Sequence, residues 1–206
     1  MQIKCDGIYD LNLFNTNIMH EKVSLYLDTN IWYWLTYEGA NIESQKPKYA
    51  EFINKIYNHK NFELLYSHLS YGELAHIIEI DKYKKYKETH SNCHKVKEFR
   101  KVSGEREDVS NSVRASIVFM DKISASDEKF VEVLNYISGE EFVNTLKNTT
   151  LDGTDVLMAN FISQNGIKNI VTDDGDFLSI EGINVFTYNE RSIEEAKKQD
   201  KLLSIK

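Results

Sequence analysis

The chain of 206 residues has one proline, Pro47, two cysteines, and only four arginines beside 21 lysines. Cys5 and Cys93 lie far apart without Cys-x-x-Cys spacing, which excludes a disulfide framework and a zinc knuckle and leaves reduced, incidental thiols. No apolar run approaches the roughly 18 residues of a bilayer span. Met1 to Phe14 lacks the basic start and apolar stretch of a secretory signal. The expected location is therefore cytoplasmic, with no membrane partner. A Gly-rich phosphate loop is missing, which argues against nucleotide-triphosphate chemistry, and neither an internal repeat nor a low-complexity linker is visible. The net charge of −7 excludes a generally basic, phosphate-coating surface, while leaving room for local contact with nucleic acid.

What remains is ordinary globular composition, 41% hydrophobic and 28% charged, in a length that suits one α/β core. Val23 to Leu27 is a β-rich run ending at Asp28-Thr29-Asn30, and the aromatic Ile31 to Leu35 continues as a helix. Tyr49, Phe52, Ile53, Ile56 and Tyr57 form an amphipathic stripe entered through Pro47. Phe62 to Ser67 predicts a second strand, followed by a helix from Ser70 toward Ile80. Further helical patterns occupy Val109 to Ile123, Phe130 to Ile137 and Phe142 to Leu146. A helix is expected to begin at Asp155 and stop at Asn165-Gly166, a left-handed signal. Strands follow at Ile167 to Thr172 and Ile183 to Tyr188, and Ser192-x-x-Glu195 reads as the capping-box start of a polar terminal helix. Alternation of strand and helix predicts a mainly parallel central sheet flanked by helices. Residues 1–22 read as an N-terminal extension packed on the domain edge. The domain spans 23–190 with a helical insertion at about 81–147, and 191–206 forms the C-terminal helix.

Acids fall where such a sheet places its ligands, at the carboxyl ends of its strands. Asp28 follows the first strand, Glu73 opens the helix after the second, Asp155 opens another helix, and Asp174 and Asp176 follow the later strand. Two carboxylates about 4 Å apart repel by about 4 kcal/mol at an effective dielectric near 20. A domain stable by only about 5–15 kcal/mol tolerates four such groups only if they are not neighbours or if a cation sits among them. All-oxygen ligation favours Mg²⁺ or Mn²⁺. That chemistry suits phosphodiester hydrolysis, in which hard cations activate water and stabilise the leaving oxygen. Asp28, Glu73, Asp155, Asp174 and Asp176 are thus the candidate catalytic metal ligands. Thr29, Asn30 and Thr172 are expected to hydrogen-bond the loops that aim them.

Leu25-Tyr-Leu-Asp28-Thr-Asn30, the Glu73 helix, Asp155-Val-Leu-Met-Ala-Asn160 and Ile170-Val-Thr172-Asp-Asp174-Gly-Asp176-Phe177 together resemble the PIN domain family of metal-dependent ribonucleases, which includes the VapC-type toxins. The resemblance covers roughly Val23 to Tyr188, with a gap. It implies a Rossmann-like sandwich, Mg²⁺ or Mn²⁺ in an acidic pocket, and RNA cleavage leaving 5′-phosphate and 3′-hydroxyl ends. For toxin members it also implies an antitoxin partner and a homodimer. The chain departs from the compact toxin form in its long stretch between Glu73 and Asp155 and in its N-terminal extension.

Each acid also has a structural role to weigh. Asp28 could form an Asx turn, Ser70-x-x-Glu73 matches a capping box, and Asp155 suits a helix first turn through the dipole. Asp152 competes with Asp155. Asp173 is expected to face solvent. Asp81 to Arg106 holds nine Lys/Arg against four Asp/Glu, so Lys82, Lys84, Lys85, Lys95 and Arg100 are candidate RNA contacts, or simply a solvated helix face. Two other functions compete with the nuclease: a non-catalytic PIN-like module binding RNA or protein, and a phosphotransferase using Asp28. Asp28-Thr-Asn30 lacks the second acid that the phosphotransferase needs.

Overall fold

The computed structural model describes residues 2–15, 21–40, 46–124 and 138–203. Six strands form one sheet: β1 (Gly7–Asp10), β2 (Val23–Leu27), β3 (Phe62–Leu65), β4 (Asn169–Val171), β5 (Asn184–Thr187) and β6 (Leu202–Leu203). Their order across the sheet is β3-β2-β4-β5-β1-β6, and every neighbouring pair is parallel. Helices α1 (Thr29–Thr36), α2 (Lys46–Tyr57), α3 (Leu69–Thr89), α4 (Val96–Phe99), α5 (Glu105–Ile123), α6 (Gly139–Asn148), α7 (Gly153–Gln164) and α8 (Glu190–Lys198) complete the described structure.

Side chains alternate across a strand, so each face of the sheet draws on its own half of the sequence pattern. Leu25, Leu27, Val171 and Phe186 face a core filled by Trp32 of α1, Tyr49 and Ile53 of α2, and Leu74 and Ile78 of α3. Tyr26, Leu65, Ile170 and Val185 face the opposite core, closed by Val156, Phe161 and Ile162 of α7. Burial on both faces is what a parallel sheet requires and why its strands read as near-continuous apolar runs. The chain is therefore an α/β sandwich.

Several local expectations are corrected. Residues 1–22, expected as an extension, contribute β1, which lies inside the sheet between β5 and β6. The close approach is possible because residue 7 is glycine: a Cβ there would fall 2.4 Å from Leu203. Helix α3 continues nine residues beyond Ile80 because Tyr83 and Tyr86 pack on Phe99 in a satellite cluster with Cys93 and Val109. Helix α7 begins two residues before Asp155, with Asp152 as its cap, accepting from the backbone N–H of Thr154 and Asp155. The cap of α8 is Asn189, whose Oδ1 accepts from Ser192 N, and Ser192 lies inside the helix. The stop at Gly166 forms as expected, with φ 63°. The helical pattern at Phe130 to Ile137 lies outside the described residues. Among those described, no helix is long and apolar enough to cross a membrane.

Candidate active site

From β2 the chain moves outward to β3, then crosses back over β2 to β4. The order reverses between β2 and β4, and at such a switch point the carboxyl ends of adjacent strands open a crevice. Asp28 leaves β2 there, and Thr172 to Asp174 leave β4 beside it. Thr172 joins the two loops: its hydroxyl donates to Asp28 Oδ2 at 2.7 Å and accepts from Asp174 N at 2.9 Å. Asp28 is only 3% exposed, and its side chain makes no capping bond to α1. The turn-forming role is thus not the one it plays.

Burial pushes the Asp28 carboxyl up to about 7; Thr172 pulls it down, while Glu73 and Asp174 push it further up. Asp155 is pushed to about 8, first by burial and then by Asp152, Asp28, Glu73 and Asp174. Asp28 and Asp155 are thus within electrostatic reach of each other and of Glu73 and Asp174, although the four come from separate segments. None of the largest influences on Asp28 or Asp155 is a basic group. Burial also raises Glu73, with Asp152 adding to the rise and His76 opposing it.

The capping box weighed as the alternative role for Ser70 and Glu73 does not form. The residue before α3 is His68, which makes no side-chain cap, and Glu73 Oε2, Ser70 Oγ and Thr29 Oγ1 are all buried without a hydrogen-bond partner. Thr29 sits close enough to lower the Glu73 carboxyl, yet no bond of ordinary geometry closes between them. Unsatisfied buried oxygens are costly, and these cluster beside the acids. Such a donor set of carboxylate and hydroxyl oxygens fits a hard cation. Among the described residues, however, no group of three or more His, Cys, Asp or Glu side chains is drawn into a closed ligand set.

Asp176 is not among the largest influences on Asp28 or Asp155. It lines a cavity of about 320 Å³ with Asp174, Asn189, Arg191, Ser192 and Glu195, and its backbone N–H caps onto Asp174 Oδ1 at 2.8 Å. Asn30 is exposed. Asp173, expected in solvent, is half-buried and accepts from the Tyr49 hydroxyl at 2.8 Å. Tyr49 was legible only as part of an apolar stripe. It is fully buried, and its oxygen also accepts from Tyr188 N at 3.0 Å and meets Thr187 Oγ1 at 3.2 Å, which ties α2 to the ends of β4 and β5. Asp152 was weighed only as a rival to Asp155, and its Asp-Gly-Thr-Asp context is the signal that identifies a cap.

Three of the five basic candidates are engaged within the fold. Lys82 pairs with Asp108, Lys85 with Asp81, and Arg100 grips Glu79 through Nε and Nη2 at 2.7 and 2.5 Å. Lys84 and Lys95 are exposed. Comparison with known families finds no family model that matches the chain, and comparison with curated proteins finds no match.

Proposed function

We propose that the protein is a divalent-metal-dependent endoribonuclease of PIN type, with Asp28, Glu73, Asp155 and Asp174 holding Mg²⁺ or Mn²⁺. The observation that carries this is the convergence of carboxylates from separate segments on Asp28 and Asp155, with an orphaned Glu73 oxygen and no basic group among the strongest influences on Asp28 or Asp155. Bound there, the cation would supply Lewis acidity for water attack on an RNA phosphodiester and charge neutralisation for the leaving oxygen.

The chain's own residues prepare that site. Thr172 holds Asp28 and the Asp174 backbone in one register. The cap at Asp152 fixes the first turn of α7 and so the position of Asp155. Near neutral pH without a cation, the Asp155 carboxyl retains its proton, and cation binding expels it. Asp176, whose backbone N–H donates to Asp174 Oδ1, remains a further candidate ligand from the same loop. An antitoxin partner and a homodimer belong to this proposal as its toxin-like form.

The absence of a closed ligand set among the described residues favours a second reading, a non-catalytic module binding RNA or protein. Incubation of single-stranded RNA with the full chain and Mn²⁺ separates the two. The nuclease yields products with 5′-phosphate and 3′-hydroxyl ends, which disappear with EDTA or with Asp155→Asn. Equal cutting by Asp155→Asn and the parent assigns the activity to another site and sinks the proposal.

A further inference from the structure

Although the chain uses arginine only four times, three of them, Arg100, Arg106 and Arg114, line one cavity of about 720 Å³ between α3 and α5. His76, Glu79 and Glu107 line it too. In a chain of net charge −7, this wall carries three guanidinium groups against two carboxylates. Lysine outnumbers arginine about fivefold here, so a cavity lined by arginine and no lysine asks for the geometry of the guanidinium fork as well as its charge.

Part of that arginine has a structural task. Glu79 is 4% exposed and is held by Arg100 and, at 2.7 Å, by Nη1 of Arg106. That lock satisfies the buried carboxylate and fixes both guanidinium planes, while Arg106 keeps further N–H groups unspent and its side chain stays 63% exposed. Arg114 and His76 are exposed, and among the described residues neither has a hydrogen bond or ion pair. The lock does not account for Arg114, and His76 adds to it only a charge effect on Glu79 without a bond.

The cavity also adjoins the acidic crevice. His76 is one turn from Glu73 on α3 and lies within its electrostatic reach, and Glu79 is about 9 Å from Glu73 along the helix axis at 1.5 Å per residue. We infer that this cavity binds a backbone phosphate of the RNA strand whose scissile bond lies in the crevice, through Arg114, the free edge of Arg106 and His76. This rests on the nuclease proposal and adds to it a subsite that positions the strand. Arginine can meet phosphate oxygens with two parallel N–H bonds, and a contact to phosphate is blind to base sequence.

The test uses the full chain with Asp28→Asn to prevent cutting, a fluorescent single-stranded RNA of about ten nucleotides, and anisotropy titrations at several salt concentrations. Arg114→Ala and His76→Ala are the probes, since both residues are exposed and neither makes a bond in the Glu79 lock. The expected result for Arg114→Ala is about fivefold weaker binding and a salt slope shallower by about 0.7. Cutting by the otherwise unaltered chain carrying Arg114→Ala should show a raised KM, an unchanged kcat, and no change at all on a dinucleotide too short to reach the cavity. Inorganic phosphate and a mononucleotide, run as competitors, distinguish a free-phosphate site from a strand site: strong competition by either at micromolar levels overturns the strand assignment. Unchanged affinity and salt slope in both variants also overturn it, and they leave Mn²⁺-dependent cutting by the parent, and so the nuclease proposal, untouched. A parent that binds RNA through Arg114 but never cuts it removes the nuclease and keeps the phosphate site.

Discussion

Neutralising Asp28 should stabilise the metal-free protein, and the size and pH dependence of the gain follow from the site. The carboxyl is buried, and its folded value of about 7 lies above the ordinary 3.8. A group raised in this way contributes its stability at pH below about 4 and loses it as pH rises through about 7, because the folded state must then surrender a proton it prefers to keep. At about 1.36 kcal/mol per pH unit, the ceiling on the loss is about 4 kcal/mol. Asp155 titrates in the same field, so the two protonations are coupled and the part removed with Asp28 alone is about 2 kcal/mol. Asp28→Asn keeps an oxygen to accept from Thr172 Oγ1 and removes the charge. Urea denaturation in EDTA at pH 5 and pH 8 reads the effect. The loss builds up between about pH 4 and pH 7, so the variant should already be ahead by about 0.7 kcal/mol at pH 5 and by about 2 kcal/mol at pH 8, or about 4–8 °C in Tm for a chain of this size. Mn²⁺ should reverse the ranking: at a hundredfold excess over Kd it stabilises the parent by about 2.7 kcal/mol and the variant far less. A variant no more stable than the parent at pH 8 would refute the idea that Asp28 is an uncompensated buried charge.

Thr172→Val removes the only side-chain donor to Asp28 among the described residues and the acceptor for Asp174 N; it should cost about 1–3 kcal/mol, more at pH 8 than at pH 5, measured by the same denaturation pair. Tyr49→Phe strips the buried Tyr188 N–H and the Asp173 carboxylate of their partner. Stability should fall by about 1–3 kcal/mol, and Mn²⁺ affinity should fall with it as the Asp174 loop loosens; unchanged affinity would separate the Tyr49 network from the metal site. Gly166→Ala, at φ 63°, should destabilise by about 1 kcal/mol without altering Mn²⁺ binding.

Acids that directly follow apolar strands were legible in the sequence, because a short β-rich run names both the strand and the edge where it ends. That is why Asp28 and Asp174 could be expected at one edge of the sheet, and why the α/β sandwich was visible. Strand β1 was not legible: Gly7-Ile-Tyr-Asp10 is short, opens on glycine and closes on aspartate, and only pairing with β5 and β6 makes it a strand. Strand β6, two residues long, carries no pattern at all. Tyr49 hid in an amphipathic stripe whose spacing announces burial and says nothing about a hydroxyl. The Ser70-x-x-Glu73 motif misled in the opposite sense, since α3 starts two residues too early for Ser70 to cap it. The arginine cavity joins residues from α3, α4's end and α5, so their convergence depends on how those helices pack.

The central claim, that these carboxylates share a divalent cation, is tested most directly by titrating Mn²⁺ into the metal-free full chain and reading free ion by electron paramagnetic resonance. The account predicts saturable binding that is lost in Asp28→Asn and in Asp155→Asn and releases protons near pH 7. Binding of equal affinity in the parent and both variants, or none in the parent, would contradict it.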